Sequence, residues 1–239
     1  MRRLLAFFCT VVLVLGTVVS VQALNLITNP GFETGDFTGW NVSNQTGGYG
    51  SFFVTNANTA PLSGHTTVGP ADGLFYAVSD QSGPGAYVLW QTFTVASPAV
   101  SVILSFDMFV NDYYDQGPIV NPAGLDYTTG PNQHGRVDIL SAGSDPFDTG
   151  AGVLANFYLD VDPGSDPNPY TSYLFDITAL VGGGGDFMLR FAQVQTQFYL
   201  NMGVDNASVD FTAVPEPATL LLLGSGLLGF LGFRNKFRL

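Results

Sequence analysis

The chain has 239 residues, 19 of them acidic and 7 basic, for a formal net charge of −12. Its 46 % apolar and 13 % aromatic content belongs to a core-forming protein and excludes a disordered acidic tail. Residues 24–214 hold 17 Asp and Glu33 against only Arg136 and Arg190, a net −16 with no lysine, and phosphate backbones repel such a body, which excludes nucleic acid as a partner.

Residues 1–23 read as a secretory signal peptide. Arg2 and Arg3 precede the apolar stretch Leu4–Val19, and Val21-Gln22-Ala23 supplies the small residues that a signal peptidase needs. The single cysteine, Cys9, falls in this stretch, so the mature chain would have none, and stability must come from packing.

Residues 24–214 read as one all-β domain. Asp, a turn former, outnumbers Glu, a helix former, by 17 to 1, and no long stretch carries helical periodicity. Alternation with period two predicts strands over Tyr87–Val95, Ser101–Phe109, Asp186–Val194 and Val204–Phe211. Shorter apolar runs at Ser51–Thr55, Leu74–Val78, Val137–Leu140, Val153–Leu159 and Ser172–Ile177 predict further strands. Turn clusters such as Ser82-Gly83-Pro84-Gly85 and Gly182 to Gly185 separate them. About ten short strands without intervening helices predict an antiparallel β-sandwich. The longest stretch without predicted structure is Asn111–Gly135, a length that points to function or mobility.

Residues 215–239 form a second address. Pro215-Glu216-Pro217 precedes a 16-residue apolar segment, Ala218–Phe233, about 24 Å long as a transmembrane helix, and Arg234, Lys236 and Arg238 follow. The basic end would stay on the cytoplasmic side and leave the acidic body outside.

This tripeptide, apolar helix and basic end together resemble a PEP-CTERM sorting signal. The resemblance covers the last 26 or so residues. It implies a Gram-negative bacterium, transient inner-membrane anchoring, processing by an exosortase-type enzyme, and a destination at the cell surface or outside it, often among exopolysaccharides. A second resemblance begins at Asn25-Leu26-Ile27-Thr28-Asn29-Pro30-Gly31-Phe32-Glu33, followed by Gly35-Asp36-Phe37-Thr38-Gly39-Trp40. With Asp72-Gly73-Leu74-Phe75-Tyr76-Ala77 and Val204-Asp205-Asn206-Ala207-Ser208-Val209, these residues resemble galactose-binding-like jelly rolls, a fold shared by many carbohydrate-binding modules. That resemblance implies a jelly-roll topology, with Trp40 packed in the core. It also implies a structural calcium ion between the first loop and the last strand, held by Glu33, Asp205, carbonyls near Gly31, and Asp72. The same carboxylates could instead bond turn amides.

Sugar binding needs exposed aromatic rings beside polar groups, and Tyr113, Tyr114, Asp112, Asp115 and Tyr127 offer both. The same tyrosines suit a role as caps on the core. The turn Asp160–Asp166 departs from a calcium-binding helix-loop-helix pattern at Gly164 and Thr171 and reads as an acidic turn. Only His65 and His134 could serve transition-metal chemistry, and no Lys-containing phosphate loop is present. The expectation is a non-catalytic surface or matrix protein that binds polysaccharide. The alternative is a calcium-stabilised adhesive protein without sugar recognition, and a polysaccharide-acting enzyme ranks third.

Overall fold

A computed structural model describes residues 23–214. The expected signal helix and the expected sorting helix, with Pro215, Glu216, Pro217, Arg234, Lys236 and Arg238, lie outside the described residues. Among the described residues no helix is long and apolar enough to cross a membrane.

Eleven strands follow one another: β1 (Leu24–Asn25), β2 (Asn41–Asn44), β3 (Gly50–Thr55), β4 (Tyr76–Gln81), β5 (Gly85–Val95), β6 (Ala99–Asp112), β7 (Gln133–Ser141), β8 (Val153–Asp160), β9 (Thr171–Asp176), β10 (Gly185–Gln195) and β11 (Leu200–Ala213). One helical turn, α1 (Thr178–Val181), sits between β9 and β10. The first sheet has the order β3-β4-β11-β6-β9, with β1 also paired to β11, and the second has β2-β5-β10-β7-β8. Only β3–β4 and β7–β8 connect neighbours within a sheet, and every other connection crosses between layers, as in a jelly roll. Crossing turns therefore gather at each end of the sandwich and bridge the two sheets.

The predicted alternation is observed in β6, where Val102, Leu104, Phe106 and Met108 are buried with half-buried residues between them, and at the end of β5, where Phe93 and Val95 are buried. In β10 Leu189 and Phe191 are buried as expected, but so are the residues between and beyond them. Phe106 meets Phe191 edge-on at 5.3 Å between the layers, and Trp40, packed as expected, lies 6.1 Å from Phe191. Trp90 is half-buried and donates Nε1 to Ser43 Oγ at 3.1 Å. The middle of the second sheet is buried on both faces. Ala86, Val88, Ala192 and Val194 point away from the sandwich core into a second cluster with Leu125, against which Trp90, Tyr127 and Phe147 pack. On the first sheet the outer cover is the β3–β4 loop. Tyr76, Tyr113 and Tyr170 fasten it by donating their hydroxyls to the carbonyls of Ala57 (3.0 Å), Thr66 (2.6 Å) and Gly69 (2.9 Å).

The segment expected to be structureless over Asn111–Gly135 is shorter and more ordered. β6 runs through Asp112 and β7 starts at Gln133, because both ends continue into the polar interior described below. Between them Leu125 is buried, and Asn132 Nδ2 donates to the carbonyls of Gly124 (2.6 Å) and Asp126 (3.1 Å). Burying one such leucine stabilises by about 1.5–3 kcal/mol, which adds to these hydrogen bonds in ordering the loop.

Both arginines of the body converge on Asp138. Arg136 Nε lies 2.7 Å from Asp138 Oδ2 and its Nη2 lies 2.8 Å from Oδ1, while Arg190 Nη2 approaches Oδ2 at 2.5 Å. Asn156 Nδ2 donates to Asp138 Oδ1 at 2.9 Å. Arg190, fully buried, also donates Nη1 to the carbonyls of Pro146 and Asp148, both at 2.6 Å, which draws the β7–β8 loop onto the sheet. Burial works to raise the Asp138 carboxyl, but the Arg136 hydrogen bonds and the Arg190 and Arg136 charges outweigh it and hold the group below the usual carboxylate range.

Removing Asp138 would leave two buried guanidiniums without their anion. Asp138→Asn should therefore cost about 3–5 kcal/mol and lower the Tm by roughly 10 °C or more, measured by thermal melting. The same pairing predicts trypsin resistance, since the only two tryptic sites in residues 24–214 are buried in β7 and β10. Native protein should yield an intact body fragment on a gel. Cleavage at Arg136 or Arg190 should begin only at urea concentrations that unfold the domain.

Candidate functional site

Five turns meet at one end of the sandwich: β2–β3 (45–49), β4–β5 (82–84), β6–β7 (113–132), β8–β9 (161–170) and β10–β11 (196–199). Hydrogen bonds tie them together. Tyr49 N donates to Pro84 O at 3.1 Å, Asn132 N to Thr196 Oγ1 at 2.8 Å, and Gln195 Nε2 to Gly83 O. Beneath the turns, where apolar side chains would continue the core, β-strand alternation places amides instead. Gln193 Nε2 donates to Gln81 Oε1 (2.9 Å) and Leu200 O (2.8 Å), and Ser79 Oγ of the other sheet donates to Gln193 Oε1. Gln81 Nε2 donates to Leu200 O at 2.7 Å, and Gln133 Oε1 receives the amides of Thr196 (3.3 Å) and Gln197 (3.2 Å). These buried amides fix the β10–β11 turn from below.

The turn borders a cleft of about 330 Å³, lined by Gln81 to Pro84 on one side and Gln195 to Tyr199 on the other. No lining residue carries a charged side chain: the lining holds Gln, Ser, Thr, Gly and Pro with the aromatic pair Phe198 and Tyr199. Phe198 stands at the rim, 61 % exposed, with its ring 5.0 Å from that of Tyr114, itself 50 % exposed. Its φ of +92° lies in the left-handed region that a bulky residue rarely adopts. Such a backbone costs on the order of 1–3 kcal/mol and persists only where the surrounding structure imposes it. Tyr199 continues the aromatic wall through His65, whose ring lies 4.6 Å from it and stacks on Tyr113 at 4.1 Å.

Of the residues expected to meet a sugar, Tyr114 is at this rim. Asp115 follows it in the chain and is exposed. Tyr113 is half-buried and holds the β3–β4 loop. Asp112 is buried, its carboxylate engaged by Gly117 N (2.5 Å) and Gln133 Nε2 (3.1 Å). Tyr127 packs on the outer cluster of the second sheet and donates to Thr46 O at 3.0 Å. Sequence reading passed over Gln195-Thr196-Gln197-Phe198-Tyr199. The available signal was an aromatic pair that follows three polar residues just where the β10 alternation stops. His134 is buried with Nδ1 3.2 Å from Ile119 O, and burial holds its pKa below the ordinary value. The Asp160–Asp166 turn is structural, as expected: Asp162 receives Val110 N at 2.6 Å and Tyr158 OH at 2.7 Å.

The residues expected around calcium converge at the opposite end. Asp205 is buried in β11, and the positive φ of Asn206, +50°, interrupts the alternation, so that both side chains face Gly31. A Cβ on Gly31 would lie 3.4 Å from Asp205 Oδ1, 3.5 Å from Asn206 Oδ1 and 3.8 Å from Glu33 Cγ. Asp205 Oδ2 receives Ala71 N (2.8 Å) and Asp72 N (3.2 Å), while Glu33 receives Leu74 N (2.9 Å) and Phe75 N (3.0 Å) at Oε1. Both carboxylates thus clamp the Ala71–Phe75 turn through its amides, and two oxygens, Asp205 Oδ1 and Asn206 Oδ1, face Gly31, donors of the kind a hard cation takes. Among the described residues no group of three or more His, Cys, Asp or Glu side chains is placed to hold a metal ion. Burial pushes the Asp205 carboxyl up to about 6 despite the amides of Asp72, Asn206 and Ala71.

Comparison with known proteins gives two findings. Residues 213–236 match the PEP-CTERM protein-sorting motif, which marks an exported protein sorted to the cell surface. The chain has no match among curated proteins. Solved structures similar to it include TmCBM61, in complex with beta-1,4-galactotriose, at 14 % identity over 78 % of this chain and 97 % of that one, with a TM-score of 0.48. A family 11 carbohydrate-binding module from Clostridium thermocellum, in complex with a beta-1,3-1,4-mixed-linked tetrasaccharide, is 10 % identical over 84 % and 99 %, with a TM-score of 0.41. An apo-form cyclase from Fischerella sp. is 17 % identical over 82 % and 99 %, with a TM-score of 0.47. Likenesses of this size say nothing about ligand or activity.

Proposed function

We propose that this exported protein is a non-catalytic surface or matrix component that binds polysaccharide in the cleft between the β4–β5 and β10–β11 turns. The observation that carries this reading is Phe198. A bulky apolar ring is held out in water on a strained backbone, above a cleft of neutral hydrogen-bonding groups. Exposed aromatic faces give the apolar side of a sugar ring a platform, and Gln and Thr side chains bond its hydroxyls. At about 330 Å³ the cleft sits at the small end of ligand sites, which suits one or two sugar rings of a chain. Its lining binds without moving protons. On this reading the sorting motif, through Pro215-Glu216-Pro217 and the basic end, is recognised by an exosortase-type enzyme of a Gram-negative bacterium, after transient anchoring in the inner membrane.

The two oxygens facing Gly31 favour a second element, a structural Ca²⁺ held by Asp205, Asn206 and neighbouring carbonyls, with Glu33 and Asp72 beside them. A divalent charge would offset the burial of the Asp205 carboxylate. It would stabilise the domain equally in a sugar binder and in an adhesive protein without sugar recognition.

A glycan array tests the first reading. Saturable binding to at least one glycan is expected, lost in Phe198→Gly and weakened at least tenfold in Tyr114→Ala. The glycine variant should melt no lower than the wild type, because glycine adopts a positive φ freely. Absence of binding to every glycan would leave only the adhesive reading. For calcium, EDTA should lower the Tm and added Ca²⁺ restore it. In EDTA the folded pKa of Asp205, about 6 against 3.8, predicts stability that is present at low pH and lost as the pH rises through 6. Melts from pH 4.5 to 7 should show this slope in the wild type, reduced in Asp205→Asn.

A further inference from the structure

We propose that the cleft takes uncharged glycan chains and rejects the same chains when they carry carboxylate or sulfate groups. This rests on the saccharide reading above and adds the ligand's charge class.

Among the described residues the only permanent cations are Arg136 and Arg190, and both are bound to the buried Asp138 and turned away from solvent. An anionic sugar would therefore find no guanidinium or ammonium on this body to replace the hydration it loses. The cleft lining carries no charge: the amides of Gln81 and Gln195 are engaged beneath the turn, which leaves the neutral groups of Ser82, Thr196 and Gln197 nearest the space. Its surroundings are negative. Asp115 is exposed beside Tyr114, and the Asp166 carboxyl is pushed up to about 6, by burial first and then by the charges of Asp112, Asp115 and Asp162. The exposed Asp115 carboxylate beside the rim repels an incoming anion.

The test uses the full chain and polymer pairs that share a backbone: hydroxyethyl cellulose with carboxymethyl cellulose, dextran with dextran sulfate, and laminarin with sulfated laminarin. Binding is measured by affinity electrophoresis and titration calorimetry at pH 8, where histidine side chains are ordinarily neutral, in EDTA to prevent divalent bridging. For any pair whose neutral member binds, the anionic member should bind at least tenfold more weakly in 20 mM salt. The gap should narrow in 300 mM salt as screening grows. Gln116→Arg, which places a cation beside Tyr114 and outside the cleft lining, should narrow the gap in 20 mM salt while leaving neutral binding within a few fold. Equal or tighter binding of the anionic member would overturn the charge class while the saccharide reading stood. If no polymer of either kind bound, that reading would fail and this inference with it.

Discussion

The fold depends on how a body with 18 acids and two arginines uses its only positive charges. Both lie on neighbouring strands of one sheet and share Asp138. A buried ion triad seldom stabilises more than apolar packing of equal volume would. Its value here is positional. Arg190 reaches past Asp138 to two carbonyls of the β7–β8 loop, and that loop brings Phe147 onto the outer cluster that also holds Leu125. The outer face of the central strands stays dry because one guanidinium has a fixed anion. β10, packed on both sides, then carries the rigid amides that support the β10–β11 turn.

Two kinds of interior meet along β10. Phe187, Leu189 and Phe191 belong to an apolar core that any non-polar side chains of similar size could fill. Gln193 and Gln195 belong to a polar interior where each group needs a specific partner, and most find one across the sheets. Such a network tolerates less rearrangement than the apolar core and holds the turn above it in one conformation. That rigidity is what can maintain Phe198 in its left-handed backbone. The strained residue and the amides beneath it form one device.

Composition and alternation disclosed the layered β architecture, since Val102 to Met108 alternate as a half-buried strand must, although β10 proved buried on both faces. β2 escaped notice because Asn41-Val42-Ser43-Asn44 is short and mostly polar, and its strand state comes from pairing with β5. Glu33, Asp205 and Gly31 were readable as neighbours only through the family resemblance, because 172 residues separate the two acids in the chain. The cleft was harder still. It is made where crossing turns from two sheets meet, and no local pattern announces which turns will be adjacent. Asp112 and Tyr127 looked available in a loop and are instead engaged in holding it, a distinction that depends on partners more than 20 and 80 residues distant.

β11 gives the molecule a polarity. It begins beside Tyr199 at the cleft and runs 14 residues, roughly 45 Å, to the far end, where Leu24 pairs with Phe211. The polypeptide thus enters and leaves at the same pole, with the aromatic rim at the other. A load applied at Ala213 would run along β11, which with β6 is one of the two longest strands and lies between β4 and β6 in its sheet.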